Sequence, residues 1–118
     1  MPKLFLGIDV GSVSTNLVLL DEDRNVIDKI YLRTSGRPLQ TVQEGLKRMK
    51  EAAGGSEVSG VATTGSARRL AGLLVGADLI KNEITTHAVA ALYYRPDVQT
   101  VIEIGGQDSK IIIIRDGI

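Results

Sequence analysis

Apolar residues run in short stretches near the start of the chain, and the pattern predicts consecutive β-strands. The stretches cover residues 4–10, 15–20 and 26–32, and turns rich in glycine or charged residues separate them. Short turns favour antiparallel neighbours, and Val, Ile and Leu are residues that suit strands. The first part of the sequence therefore predicts an antiparallel three-stranded unit.

The spacing becomes helical after Pro38. Apolar positions recur three and four residues apart from Leu39 to Ala53, and Thr41 with Glu44 matches a capping box at the start of this helix. Strands and helices then alternate, which predicts an α/β fold. The remaining predicted elements are strands at 58–63 and 77–80, helices at about 67–74 and 84–94, and a hairpin from 100 to 115.

Composition narrows the possible functions. The 118 residues suit one ordinary domain, 43% of them are hydrophobic, and the 14 basic and 14 acidic residues cancel. Zero net charge argues against a nucleic-acid binder that works through a basic face. The absence of cysteine excludes disulfides and cysteine metal sites within the chain. No apolar run reaches membrane-spanning length, so we expect no membrane partner and a soluble cytoplasmic protein.

Two glycine turns lie at opposite ends of the chain, each at the end of an apolar strand. The first follows Asp9 and the second follows Glu103. Glycine has no Cβ and tolerates positive φ, so backbone N–H groups in such turns can converge on an anion. Carboxylates at these positions could hold magnesium through water. The two turns together suggest a clamp that holds phosphates from both sides.

The order of elements, with these turns, resembles the actin-like ATPase superfamily. The residues of the motifs resemble those of a narrower family, the activators of 2-hydroxyacyl-CoA dehydratases. This family also contains the ATPase subunits of benzoyl-CoA reductase (the BadF/BadG family). The most specific element is Gly-Gly-Gln-Asp in the second turn. The resemblance rests on the stretches Gly7–Ser12, Ala62–Gly65, Asn82–Thr85 and Ile102–Lys110.

This resemblance implies a ribonuclease-H-like (actin-like ATPase) domain over residues 1–96, with a mixed five-stranded sheet flanked by helices. Residues 97–118 would be the first hairpin of a second, truncated domain. It implies ATP or ADP and magnesium as ligands, with Asp9 and Glu103 as metal-water ligands and Asp9, Glu83 and Glu103 as catalytic residues. The implied phosphate-binding residues are Gly11, Ser12, Ser14, Thr15, Gly105, Gly106, Gln107, Asp108 and Lys110.

Members of the resembled family are homodimers that bridge one iron–sulfur cluster between two subunits. They couple ATP hydrolysis to low-potential electron transfer into a partner dehydratase or reductase. The cluster cysteines lie beyond the second phosphate motif, and this chain has none. Two departures from the family pattern stand out: Asn16 replaces a frequent Lys, and Thr64–Arg68 replaces Thr-Gly-Tyr-Gly-Arg.

Two other readings remain open at the level of sequence. A small-molecule, sugar-type kinase could use the same fold with a substrate base elsewhere. Alternatively, the isolated chain is a non-catalytic fragment of a longer protein, because the Asp-Gly turn after Ile111–Ile114 expects another strand. In that case we expect little or no ATP hydrolysis from residues 1–118 and self-association through unpaired strands. His87 is interpreted as a packed or surface histidine.

Overall fold

A computed structural model describes residues 3–104 and 109–115. The elements follow the predicted order, and every predicted strand and helix is present; apart from the start of the first helix, the bounds shift by two residues at most. The strands are β1 (Leu4–Val10), β2 (Ser14–Leu20), β3 (Val26–Arg33), β4 (Val58–Thr64), β5 (Leu79–Ile80), β6 (Thr100–Ile104) and β7 (Ser109–Ile113), and the helices are α1 (Pro38–Ala53), α2 (Arg68–Val75) and α3 (Glu83–Tyr94).

The first five strands form one mixed sheet in the order β3-β2-β1-β4-β5. β1 pairs antiparallel with β2 and parallel with β4, so it lies at the centre of the sheet. This confirms the predicted mixed five-stranded sheet flanked by helices. The pairing places Asp9 opposite Asn16 on one side and opposite Thr64 on the other. The carboxyl end of β1 is therefore enclosed by both neighbouring strands.

The main core lies between this sheet and the helices α1 and α2. Strand alternation sends Leu6, Ile8 and Val10 to this face, where they pack with Val42 of α1 and Ala71 of α2. An aliphatic core of this kind gains its stability from apolar surface removed from water. The alternate residues of β1, including Asp9, face the opposite side of the sheet.

One glycine lets α1 approach the sheet closely. Gly45 is buried, and a Cβ at this position would lie 2.6 Å from Leu17 Cδ1. A contact under 3 Å between carbon atoms is well inside the van der Waals optimum, so a larger residue here would push the helix from β2. This close packing holds β2 and the turn before it in place.

The predicted capping box at Thr41 and Glu44 is wrong. α1 begins at Pro38, so its N-cap residue is Arg37, four residues before Thr41, and Arg37 makes no side-chain cap bond. Proline favours the first helical position because its φ is already helical and it lacks the N–H that would be unpaired there. The Thr41 hydroxyl instead donates to the Arg37 carbonyl oxygen at 2.7 Å.

Strands β6 and β7 form a separate two-stranded antiparallel sheet. One face of this hairpin packs towards α3 and buries Ile112. The opposite face exposes four isoleucines, namely Ile102, Ile104, Ile111 and Ile113. The prediction that residues 97–118 begin a second domain stays a prediction. No helix among residues 3–104 and 109–115 has the length and hydropathy needed to cross a membrane.

Candidate functional site

The first glycine turn joins β1 to β2 and is held by local backbone bonds. The Gly11 N–H donates to the Ser14 carbonyl oxygen at 2.9 Å, and the Gly11 carbonyl oxygen accepts from the Thr34 hydroxyl at 2.8 Å. A Cβ on Gly11 would lie 3.1 Å from the Ser14 oxygen, so the turn is tight. Ser12 is exposed at its tip. The turn is thus a rigid loop at the surface, beside Asp9.

The hydroxyls predicted to bind phosphate fall into two groups. Ser14 is half-buried and lies on the same face of β2 as Asn16, whose amide donates to its hydroxyl at 3.4 Å. Thr15 faces the core, is 0% exposed, and shares a 2.9 Å hydrogen bond with the Thr34 hydroxyl. The geometry therefore does not support Thr15 as a phosphate ligand, because strand alternation turns its side chain away from the site.

The three acids predicted from sequence to be catalytic come together. Asp9 is the penultimate residue of β1, Glu83 begins α3, and Glu103 is the penultimate residue of β6. Burial raises the pKa of the Asp9 carboxyl above its ordinary value; His87 opposes this increase, and the charges of Glu83 and Glu103 add to it. Asp9 therefore interacts electrostatically with carboxylates from two other elements.

Glu83, the second of these acids, forms an ion pair with an arginine. Arg68 Nη1 lies 3.1 Å from Glu83 Oε1, and the same nitrogen donates to the Gly65 carbonyl oxygen at 3.1 Å. Both side chains are about a quarter exposed, at 26% and 27%. The neighbouring Asn82 accepts from the Thr85 N–H at 2.9 Å and caps α3. Sequence reasoning assigned no role to Arg68.

A histidine lies beside Glu103, the third of these acids. His87 Nε2 is 3.8 Å from Glu103 Oε1, and the Glu103 side chain is only 18% exposed. This contact was missed from the sequence, where the spacing signals only that His87 lies near Glu83. His87 follows Glu83 by four residues, which places both on one face of α3. Its position makes it part of the acidic cluster and not merely a surface histidine.

The second glycine turn is described only in part. In the register of the hairpin, Lys110 of β7 lies opposite Glu103 of β6. The other predicted phosphate-binding residues of this turn, Gly105, Gly106, Gln107 and Asp108, lie outside the described residues.

The loop that departs from the family pattern packs against the end of β1. The Ala67 N–H donates to the Val10 carbonyl oxygen at 3.1 Å, and the Ser66 hydroxyl does so at 3.4 Å. Gly65 has φ +95°, and a Cβ there would lie 2.6 Å from the Asp9 Oδ1 atom. This loop therefore forms one wall of the cluster, a contact that the sequence alone did not reveal.

The carboxylates of this site suit a hard cation, such as magnesium, that is bound through its water molecules. Within the described residues, no group of three or more His, Asp or Glu side chains is arranged to hold a metal ion directly. Magnesium keeps several of its waters and uses one or two carboxylates. The carboxylates of Asp9 and Glu103, which repel each other in its absence, fit such water-mediated binding.

Comparison with known proteins decides the family. The profile of the BadF/BadG/BcrA/BcrD ATPase family matches residues 6–118, almost the whole chain. The chain belongs to this ATPase family. The predicted resemblance is thereby confirmed, and the actin-like type of α/β fold with it.

Characterised relatives agree with this family. The (R)-2-hydroxyglutaryl-CoA dehydratase activating ATPase of Acidaminococcus fermentans is 34% identical over 95% of this chain and 43% of its own length. The activator of lactoyl-CoA dehydratase of Anaerotignum propionicum is 32% identical over 94% of this chain and 42% of its own length. This member of the ATPase family therefore spans less than half the length of these relatives.

A solved structure shows the same fold. The activator of the 2-hydroxyisocaproyl-CoA dehydratase from Clostridium difficile, with bound ADPNP, superposes with a TM-score of 0.78 at 24% identity, over 98% of this chain and 42% of that one. At this identity the likeness shows the fold alone.

Proposed function

We propose that this chain is the ATP-binding N-terminal part of an activator whose ATP hydrolysis drives low-potential electron transfer to a 2-hydroxyacyl-CoA dehydratase or a related CoA-substrate enzyme. The observation that carries the proposal is the meeting of Asp9, Glu83 and Glu103 beside the first glycine turn. The relatives named as dehydratase activators support the reaction class.

In the proposed site, the two glycine turns hold the phosphates of ATP. The first turn would contribute its backbone and the hydroxyls of Ser12 and Ser14. Phosphoryl transfer depends mainly on positioning and on charge stabilisation, so a rigid turn is the part that the reaction needs. The second turn would contribute Gly105, Gly106, Gln107, Asp108 and Lys110.

We propose that Asp9 and Glu103 hold magnesium through its waters, and that Glu83 orients the attacking water. When bound, magnesium would neutralise charge on the phosphates. The grouping of carboxylates supports this assignment. Burial is the main cause of the raised pKa of Asp9, the charges of Glu83 and Glu103 add to it, and a bound cation would offset that repulsion.

Hydrolysis, and not transfer to a sugar, is the proposed outcome. An activator needs a conformational switch without a phosphorylated product, and domain closure around ATP is a common switch of this type. The 34% and 32% identical relatives are named as activators, which favours hydrolysis over transfer to a kinase substrate. The homodimer and its shared iron–sulfur cluster belong to the proposal only where another part of the protein supplies cysteines, since this chain has none.

The test uses the protein expressed from its complete reading frame. We expect Asp9→Ala to abolish binding of magnesium-ATP in calorimetry and to abolish hydrolysis. The control is Asp97→Ala, because Asp97 is an acid with a side chain 84% exposed in the segment before β6. The proposal fails if the wild-type protein hydrolyses no ATP and Asp9→Ala leaves nucleotide binding unchanged.

The electron-transfer part needs its own assay. We expect the protein, supplied with ATP and a low-potential reductant, to activate a 2-hydroxyacyl-CoA dehydratase, and the non-hydrolysable analogue ADPNP to give no activation. Equal activation with ADPNP would contradict a hydrolysis-driven step. Residues 1–118 expressed alone are expected to hydrolyse little or no ATP, and measurable turnover by this chain would overturn that expectation.

A further inference from the structure

Glu83 begins a helix that packing alone does not fix. α3 contains no fully buried residue. The first turn of this helix is connected to the main sheet by polar contacts, chiefly the Arg68–Glu83 ion pair and a 3.5 Å contact between the hydroxyls of Thr64 and Thr86. Since a helix without a fully buried residue can shift or fray at low cost, these polar contacts contribute to where Glu83 lies.

Arg68 is itself held on the rigid side of the site. Its carbonyl oxygen accepts from the Thr63 hydroxyl at 2.8 Å, and its N–H donates to the Gly65 carbonyl oxygen at 3.1 Å. The loop that carries it is bonded to the end of β1 through Val10. The backbone of Arg68 is therefore tied to the central strands, and its guanidinium reaches across to α3.

We propose that Arg68 is a positioning residue that holds the Glu83 carboxylate in the orientation needed to act on the attacking water. The inference rests on the proposed ATP hydrolysis and deepens it. The planar guanidinium suits this task because it presents several donors in a fixed geometry, and one of its nitrogens already bridges Glu83 and the Gly65 carbonyl oxygen.

A purely structural ion pair would behave differently. The Arg68–Glu83 pair is partly buried, with both side chains about a quarter exposed, so removing one partner costs stability. A structural role therefore predicts a loss of stability with little effect on turnover. A positioning role predicts a loss in kcat with unchanged ATP binding, because misplacing a catalytic group by about 1 Å can cost on the order of 100-fold in rate.

The test compares Arg68→Gln with Arg69→Gln in the protein from the complete reading frame. Arg69 is the matched control because it is the next residue and is exposed. We expect Arg68→Gln to lower kcat by about 10- to 100-fold with the KM and Kd for ATP unchanged, and Arg69→Gln to leave all three unchanged. Arg68→Lys should have a kcat between those of Arg68→Gln and the wild type, since the lysine ammonium keeps the charge but lacks the planar, forked donors of the guanidinium.

A double-variant cycle separates positioning from direct action. In a Glu83→Gln background, Arg68→Gln should lower kcat by less than about twofold, because the group that it positions is already disabled. A full loss in that background would overturn the inference, as would a weaker Kd for ATP in Arg68→Gln, which would indicate contact with phosphate.

A second readout does not depend on catalysis. Hydrogen exchange of the Thr85 and Thr86 amides reports the order of the first turn of α3. Both amides bond to Asn82. We expect faster exchange in Arg68→Gln than in Arg69→Gln; equal rates would overturn the positioning role even if the wild-type protein hydrolyses ATP. Absence of wild-type hydrolysis with faster exchange would refute the proposed function, and with it the catalytic part of this inference, while leaving the tie between Arg68 and α3 intact.

Discussion

Replacing Gly65 with alanine is the sharpest stability test that the structure offers. Gly65 joins β4 to the loop before α2 and has φ +95°. A Cβ at this position would collide with the Val10 carbonyl oxygen and would lie 2.6 Å from Asp9 Oδ1. The first of these is a backbone atom in the central strand, which cannot turn aside as a flexible side chain can. The substitution therefore combines a conformational cost with a steric one.

The expected cost is the sum of two parts. A left-handed conformation costs a residue with a Cβ about 1–2 kcal/mol relative to glycine. Forcing extra atoms into a packed site adds about 1–3 kcal/mol. The free energy of unfolding should therefore fall by about 2–5 kcal/mol, a large share of the ~5–15 kcal/mol typical of a domain.

The control is Gly76→Ala at the end of α2. Gly76 has φ +65°, yet a Cβ there would meet no atom within 4 Å. It carries the conformational cost without the collision, so we expect a loss of about 1–2 kcal/mol. Urea unfolding followed by circular dichroism measures both variants. The reasoning is refuted if Gly65→Ala destabilises the protein no more than Gly76→Ala does.

Three further predictions concern single side chains. Asp9→Asn should raise the free energy of unfolding at pH 7, because the pKa of Asp9 is raised in the folded state and its charged form is therefore destabilising. In urea unfolding across pH, this gain should shrink as the pH falls through the raised pKa and vanish below the ordinary value of 3.8. Thr34→Val should cost about 1–3 kcal/mol, since it leaves the buried Thr15 hydroxyl without its partner; a loss below that of an exposed Thr→Val substitution would contradict this. Asn82→Ala should cost about 1 kcal/mol by removing the α3 cap, whereas Arg37→Ala, at a helix start without a side-chain cap bond, should cost less in the same assay.

Much of the fold was predictable because it follows from local pattern. The alternation in β1, with apolar Leu6, Ile8 and Val10 on one face, both predicted the strand and chose the buried side. The same alternation could have placed Thr15 in the core, since it shares a face with Leu17 and Leu19. The prediction of Thr15 as a phosphate ligand treated the turn as a set of hydroxyls and did not apply the two-residue period.

The start of α1 shows a conflict between two local signals. Thr41 with Glu44 matched a capping box, but Pro38 lies at the first position of the helix. Proline removes an N–H that would be unpaired there and fixes φ, and it does so without a partner residue. The stronger constraint therefore determined the boundary, and the capping pattern became part of the first turn.

The sequence by itself determined the elements, their order and the family, and it singled out the three candidate acids. It could do so because periodicity, turn chemistry and motif residues are properties of neighbouring positions. Tertiary structure alone decided which side chains surround those acids. Arg68 meets Glu83 and His87 meets Glu103 across gaps of 15 and 16 residues, and neither pairing has a local signature. Such contacts depend on how the helices cross the sheet, which is set by packing of the whole domain.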